Sequence, residues 1–106
     1  MAVMFLPDAQ DDMLSLQTYM LNKWGAILWL QAENDIFDKL EQVDAGSFPG
    51  IAAEELVLVG IHDYKSVITS HHRLVYRRHD NDTFVYLVAG HKQDYGTLLM
   101  KRMLKK

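Results

Sequence analysis

The stretch from Asp63 to Tyr95 limits the fold more than any other part of this chain. Two runs rich in β-formers, His72–Arg78 and Thr83–Ala89, flank the polar turn His79-Asp80-Asn81-Asp82. Asp and Asn tolerate positive φ and bond their own backbone, so this turn joins an antiparallel hairpin. A third run, Tyr64–Thr69, precedes it across the break Ser70-His71 and completes a three-stranded meander. Thr83–Ala89 is almost wholly apolar on both faces of its pleat, as a covered central strand requires. On the second strand His72, Leu74 and Tyr76 share one face, and Arg73, Val75 and Arg77 the other. The basic face gathers Arg73 and Arg77, with Lys65 joining from the neighbouring strand and Lys92 from the sheet's far end. Such a face either holds an anionic partner or keeps a sheet soluble.

Upstream, the apolar run Ala2–Leu6 ends at Pro7 and reads as a strand. Pro7-Asp8 then opens a helix, since Pro is preset for the first turn and Asp8, Asp11 and Asp12 suit its positive end. Ala9, Met13, Leu16, Met20 and Trp24 recur at helical spacing, and Gly25 closes the segment. Trp29, Ala32, Ile36, Leu40 and Val43 form the stripe of a second helix. The two make a hairpin on one face of an antiparallel sheet, with Met13, Leu16, Leu40, Leu74, Tyr76 and Tyr86 in the core. Asp44–Ala53 is a connecting loop, and Glu54–Ile61 is either a strand or the irregular approach to one. Asp94–Lys106 reads as a closing helix, with Leu98, Leu99 and Met103 inward and Lys101, Arg102, Lys105 and Lys106 near its negative end. The expected architecture is one α+β domain over residues 1–106: strand, two-helix hairpin, antiparallel meander, helix.

Composition narrows the chemistry. Without cysteine there is no disulfide framework, thiolate metal site or thiol nucleophile. No apolar run reaches the length of a membrane span and no signal peptide precedes the first helix, so the cytoplasm is the expected compartment. Residues 1–55 carry two basic against ten acidic side chains, net −8; residues 56–106 carry nine against four, net +5. The split points to an acidic and a basic surface, either for different partners or for each other. No phosphate loop occurs, and His71 and His72 point to opposite sides of a strand, so neither a cofactor nor a metal is expected. What remains is basic side chains with His91 and Tyr95 at the sheet's end. Lys and Arg can hold phosphate while Tyr or His moves a proton, which suits an RNA phosphodiester or an acidic protein patch.

The order of elements, and the residues filling them, resemble the RelE/ParE superfamily of bacterial type II toxins, closer to its ParE-like branch. LPDAQDDMLSLQTYMLNKWG is similar to the ParE-type opening, with Ala9, Asp12, Tyr19, Trp24 and Gly25 at the matching positions. HHRLVYRR resembles the superfamily's Tyr-Arg-hydrophobic-hydrophobic-Tyr strand through Arg73 and Tyr76, and VAGHKQDY resembles its exit from the last strand. The resemblance implies the toxin of a plasmid-stabilising toxin–antitoxin module, which inhibits growth unless a cognate antitoxin wraps it. It implies two target classes: DNA gyrase, inhibited by binding, or the ribosome, where relatives cut mRNA. A relative without toxicity, acting only as an interaction module, is the third possibility. The nuclease would use Lys65, Arg73, Lys92 and Tyr95 as catalytic residues; partner binding would fall to Arg73, Arg77, His91 and Arg102. Val67 and Thr69 stand where ribosome-dependent nucleases carry further basic residues, and the chain is acidic overall, so gyrase is favoured.

Overall fold

The computed structural model describes residues 2–46, 50–52, 64–90 and 95–104. Among the described residues five strands form one sheet: β1 (Val3–Phe5), β2 (Ile51–Ala52), β3 (Lys65–Ile68), β4 (His72–His79) and β5 (Asp82–Gly90). Their spatial order is β1-β5-β4-β3-β2. Helices α1 (Pro7–Lys23) and α2 (Ala26–Asp44) pack on one face, and α3 (Tyr95–Leu104) brings Leu99 against the other. The α+β class and the antiparallel meander β3-β4-β5 are as the residues imply. The sheet is nevertheless mixed rather than antiparallel, because β1 joins β5 in parallel, Val3 beside Thr83 and Phe5 beside Val85. A two-helix crossover is long enough to return the chain in either direction. Ile51–Ala52, expected within a loop, adds an edge strand, whereas Glu54–Ile61 lies outside the described residues.

Both helices sit as their spacing requires. Ala9, Leu16 and Met20 of α1 and all five stripe residues of α2 are buried. Met13 is only partly buried, and Trp24, expected inward, is 53% exposed. Trp24 is already the C-cap residue, past the last turn that the sheet covers. Gly25 takes φ +94°, and its N–H joins that of Trp24 on the Met20 carbonyl. The C-terminal end of α2 is held by Arg78, which donates to the Val43 and Asp44 carbonyls at 2.9 Å each. These are among the carbonyls a helix end leaves without partners, and a cation suits their dipole.

The β4–β5 turn places Asp80 and Asn81 at φ 52° and 69°, the paired positive values of a type I′ hairpin. Pairing then runs regularly from His79↔Asp82 to Tyr76↔Val85, and from Val75↔Leu87 to His72↔Gly90. Tyr86 is the residue left over, a β-bulge. It changes the phase of the strand: Val85 and Val88 face the helical hairpin, while Tyr86 and Leu87 both face α3. Tyr86 was expected in the hairpin-side core with Tyr76; the bulge turns it to the opposite side, half-buried, with its ring centroid 5.0 Å from that of Tyr64. Leu40, Leu74 and Tyr76 occupy the hairpin-side core as expected.

Candidate functional site

Register decides which basic side chains share a face. Lys65 pairs with Tyr76, and Tyr76 lies in the hairpin-side core, so Lys65 projects to that side. Arg73 pairs with Ile68 and Ala89, and Ala89 packs on the α3 side. Arg77, two positions beyond Val75, shares this second face. Alternation therefore brings Arg73 and Arg77 together, about 13 Å apart along the strand. It sets Lys65 on the opposite face from both. Arg77 and Lys65 are exposed, and Arg73 is half-buried. His91, Lys92 and the Tyr95 side chain lie outside the described residues; the Tyr95 backbone opens α3.

Arg102 lies inside the fold. Its guanidinium grips Asp12 of α1 with two bonds, Nη1 to Oδ2 at 3.0 Å and Nη2 to Oδ1 at 2.8 Å. Nη1 also donates to the Tyr86 carbonyl at 2.9 Å, and Nε stands 3.7 Å from Asp8. The hydrogen bond to Asp12 is the main cause that raises the Arg102 pKa further above its ordinary range. Sequence reading placed Asp12 at a helix start and Arg102 at a helix end without joining them. A trace of the pairing was present: Asp8 and Asp12, four apart on α1, form one acidic flank facing the last basic helix.

The outward side of the hairpin is unexpectedly apolar. Leu14 and Leu21 lie seven apart on α1, and Leu30 and Phe37 seven apart on α2, so each pair forms a row, the second ending where the Phe37 ring rests on Phe5 of β1, centroids 5.8 Å apart. Leu14, Ile27 and Leu30 are 62%, 77% and 54% exposed. Trp24 and Tyr19 continue the apolar surface at the hairpin's tip, where the Lys23 ammonium stands 5.4 Å and 5.5 Å from the Tyr19 and Trp24 rings. Asp11, Asp38 and Glu41 are exposed on the same two helices. The sequence carried the signal, since these leucines and isoleucine fall outside the buried stripes. At the β3–β4 turn, Ser70 donates to Asp35 of α2 and its hydroxyl meets His71 Nδ1 at 2.8 Å, bracing the turn against the helix. The order carboxylate–hydroxyl–imidazole leaves the imidazole unable to relay a proton between the other two. Among the described residues no three His, Asp or Glu side chains converge as a metal site.

The family model described as "ParE toxin of type II toxin-antitoxin system, parDE" matches residues 3–95. Among solved structures, a chain of the chromosomal ParDE TA system from P. aeruginosa superposes with a TM-score of 0.65 at 11% identity, covering 85% of this chain and 95% of that one. At that identity the likeness concerns the fold. No curated protein sequence matches significantly. No described helix is long and apolar enough to cross a membrane.

Proposed function

Since this chain belongs to the ParE toxins of type II toxin–antitoxin systems, we propose that it arrests growth in the cytoplasm by binding DNA gyrase, and that a cognate antitoxin holds it inactive. The exposed apolar rows of the helical hairpin carry this reading. Several large apolar side chains left bare on adjacent helices mark a surface that a protein partner covers. An inhibitor that works by binding needs such a surface and no assembled chemistry.

The two sheet faces favour the same reading. A nuclease would gather Lys65, Arg73, Lys92 and Tyr95 around one phosphate, yet Lys65 and Arg73 project from opposite faces. Arg73 and Arg77, on the same face on either side of Val75 and only partly covered by α3, are suited to separate carboxylates of the antitoxin through charge-assisted bonds. His91, outside the described residues, is proposed as a further partner contact, and Arg102 serves the surface by holding α3.

The test is direct. The purified chain is titrated into a gyrase supercoiling reaction and, separately, into a translating extract. Supercoiling is inhibited while mRNA stays intact, and Ile27→Glu with Leu30→Glu weakens inhibition about tenfold or more. Tyr95→Phe inhibits as the parent does. Codon-positioned mRNA cleavage that vanishes in Tyr95→Phe overturns the proposal.

A further inference from the structure

The last strand of the sheet is longer than the partner on its outer side. Pairing of β1 with β5 ends at Phe5↔Val85, and Leu6 adds one bond, its N–H to the Val85 carbonyl at 3.0 Å. The chain then turns into α1 at Pro7, while β5 runs on to Gly90. On the side facing away from β4, β5 presents the Tyr86 carbonyl, turned out by the bulge, and the Val88 N–H. Two side chains meet them where strand backbone would. Arg102 Nη1 donates to Tyr86 O at 2.9 Å, and Asp12 Oδ2 accepts from Val88 N at 3.0 Å. The same two side chains are joined by the paired bonds described above. One carboxylate therefore serves α1, α3 and β5 together, and the pair continues the sheet's hydrogen bonding with side-chain atoms.

Helix α3 depends on its contacts with the rest of the fold. Its ten residues are too few to be helical alone, and Leu98 and Leu99 supply its packing on Val75, Leu87 and Ala89. The ion pair keeps some solvent contact, Arg102 at 15% and Asp12 at 18% side-chain exposure, so dissolved salt screens it in part. We propose that Asp12–Arg102 is a latch. Helix α3 swings off the outer edge of β5, freeing the Tyr86 carbonyl and the Val88 N–H, while β5 stays paired with β4 and the hairpin-side core, Val88 included, stays folded. Asp12 is the positioning residue that keeps the latch shut. Ionic strength sets how often it opens, and with it how often Lys101, exposed on α3, leaves its fixed place beside the sheet.

Amide hydrogen exchange on the full chain tests the latch, comparing the parent with Asp12→Asn and Arg102→Lys. In Asp12→Asn the amides of Val88 and of α3 exchange about tenfold faster or more, while those of Ile36–Leu40 and Leu74 keep their rates. Arg102→Lys, which keeps the charge but loses the fork, shows the same pattern more weakly. In the parent, raising salt accelerates the α3 amides selectively. Uniform acceleration across the core would make the pair a fastener of the whole fold. Unchanged α3 rates would mean that it fastens nothing. Either result overturns the latch. If Asp12→Asn does not fold, the salt titration of the parent decides alone.

Discussion

Replacing Arg78 by Met will loosen the join between the helical hairpin and the sheet. Arg78 donates to the Val43, Asp44 and Asn81 carbonyls at 2.9, 2.9 and 3.0 Å, and lies 3.6 Å from the Asp44 carboxylate. Met keeps most of the apolar stem, so the change isolates the guanidinium. The exposed bonds, to Asp44 and Asn81, pass to water at a cost of about 0.5 kcal/mol each, and the more enclosed Val43 carbonyl costs about 1 kcal/mol. Loss of a cation from the helix C-terminus adds about 0.5 kcal/mol. The total is about 2–3 kcal/mol, a fall in Tm of roughly 10–15 °C for a domain of this size. Calorimetry gives the total, and exchange of the amides in the last turn of α2 locates it. Arg78→Lys retains the charge but cannot reach all three carbonyls, so about half the loss remains. A change in stability below about 0.5 kcal/mol in Arg78→Met would refute the assignment of these bonds as the fastening.

Other predictions follow from the same geometry. Gly50 has φ +69° and a Cβ there would overlap the Tyr76 hydroxyl, so Gly50→Ala destabilises by about 2–4 kcal/mol in urea melts. Gly46, at φ +80° with open space around it, loses only about 1 kcal/mol on the same change. Leu40→Ala costs about 2–5 kcal/mol, because Leu40 is fully buried, whereas Leu30→Ala leaves stability nearly unchanged and reduces binding to the partner. Burial raises the Tyr76 pKa above 10.0, against a smaller opposing effect of Arg78. Its stabilising effect is complete below pH 10 and is lost as the pH rises from there through the higher folded value, a decline that Tyr76→Phe makes shallower. Arg73→Ala with Arg77→Ala weakens antitoxin binding at low salt; undiminished affinity would remove this face from the partner surface.

The helical hairpin was legible because helical periodicity is a local property. Trp29, Ala32, Ile36, Leu40 and Val43 mark α2 without knowledge of anything else in the chain. The hairpin turn was equally plain, since Asp80 and Asn81 state their backbone angles by residue type. The candidate site was less so, because it depends on register. Whether Lys65 joins Arg73 is settled by the pairing of β3 with β4, and simple alternation within one strand does not contain it. The bulge at Tyr86 is a difference in residue count between two strands, visible only once both are aligned. The Asp12–Arg102 pair links residues 90 apart. Trp24 misled because period gives the direction of a side chain but not whether anything lies there to cover it.

The bulge also sets where chains of this fold can change in length. Removing Tyr86 would leave Val85 opposite Tyr76 and Leu87 opposite Val75, each on the face it already occupies. The sheet would close into regular pairing with its core intact. Removing Val75 from β4 would instead make Leu74 and Tyr76 neighbours and send one of these two buried side chains to the wrong side. Relatives one residue shorter at the bulge can therefore share every core contact of the hairpin side. What they lack is the Tyr86 carbonyl that Arg102 meets, since Val88 keeps its outward N–H, so loss of a residue here should travel with loss of Arg102.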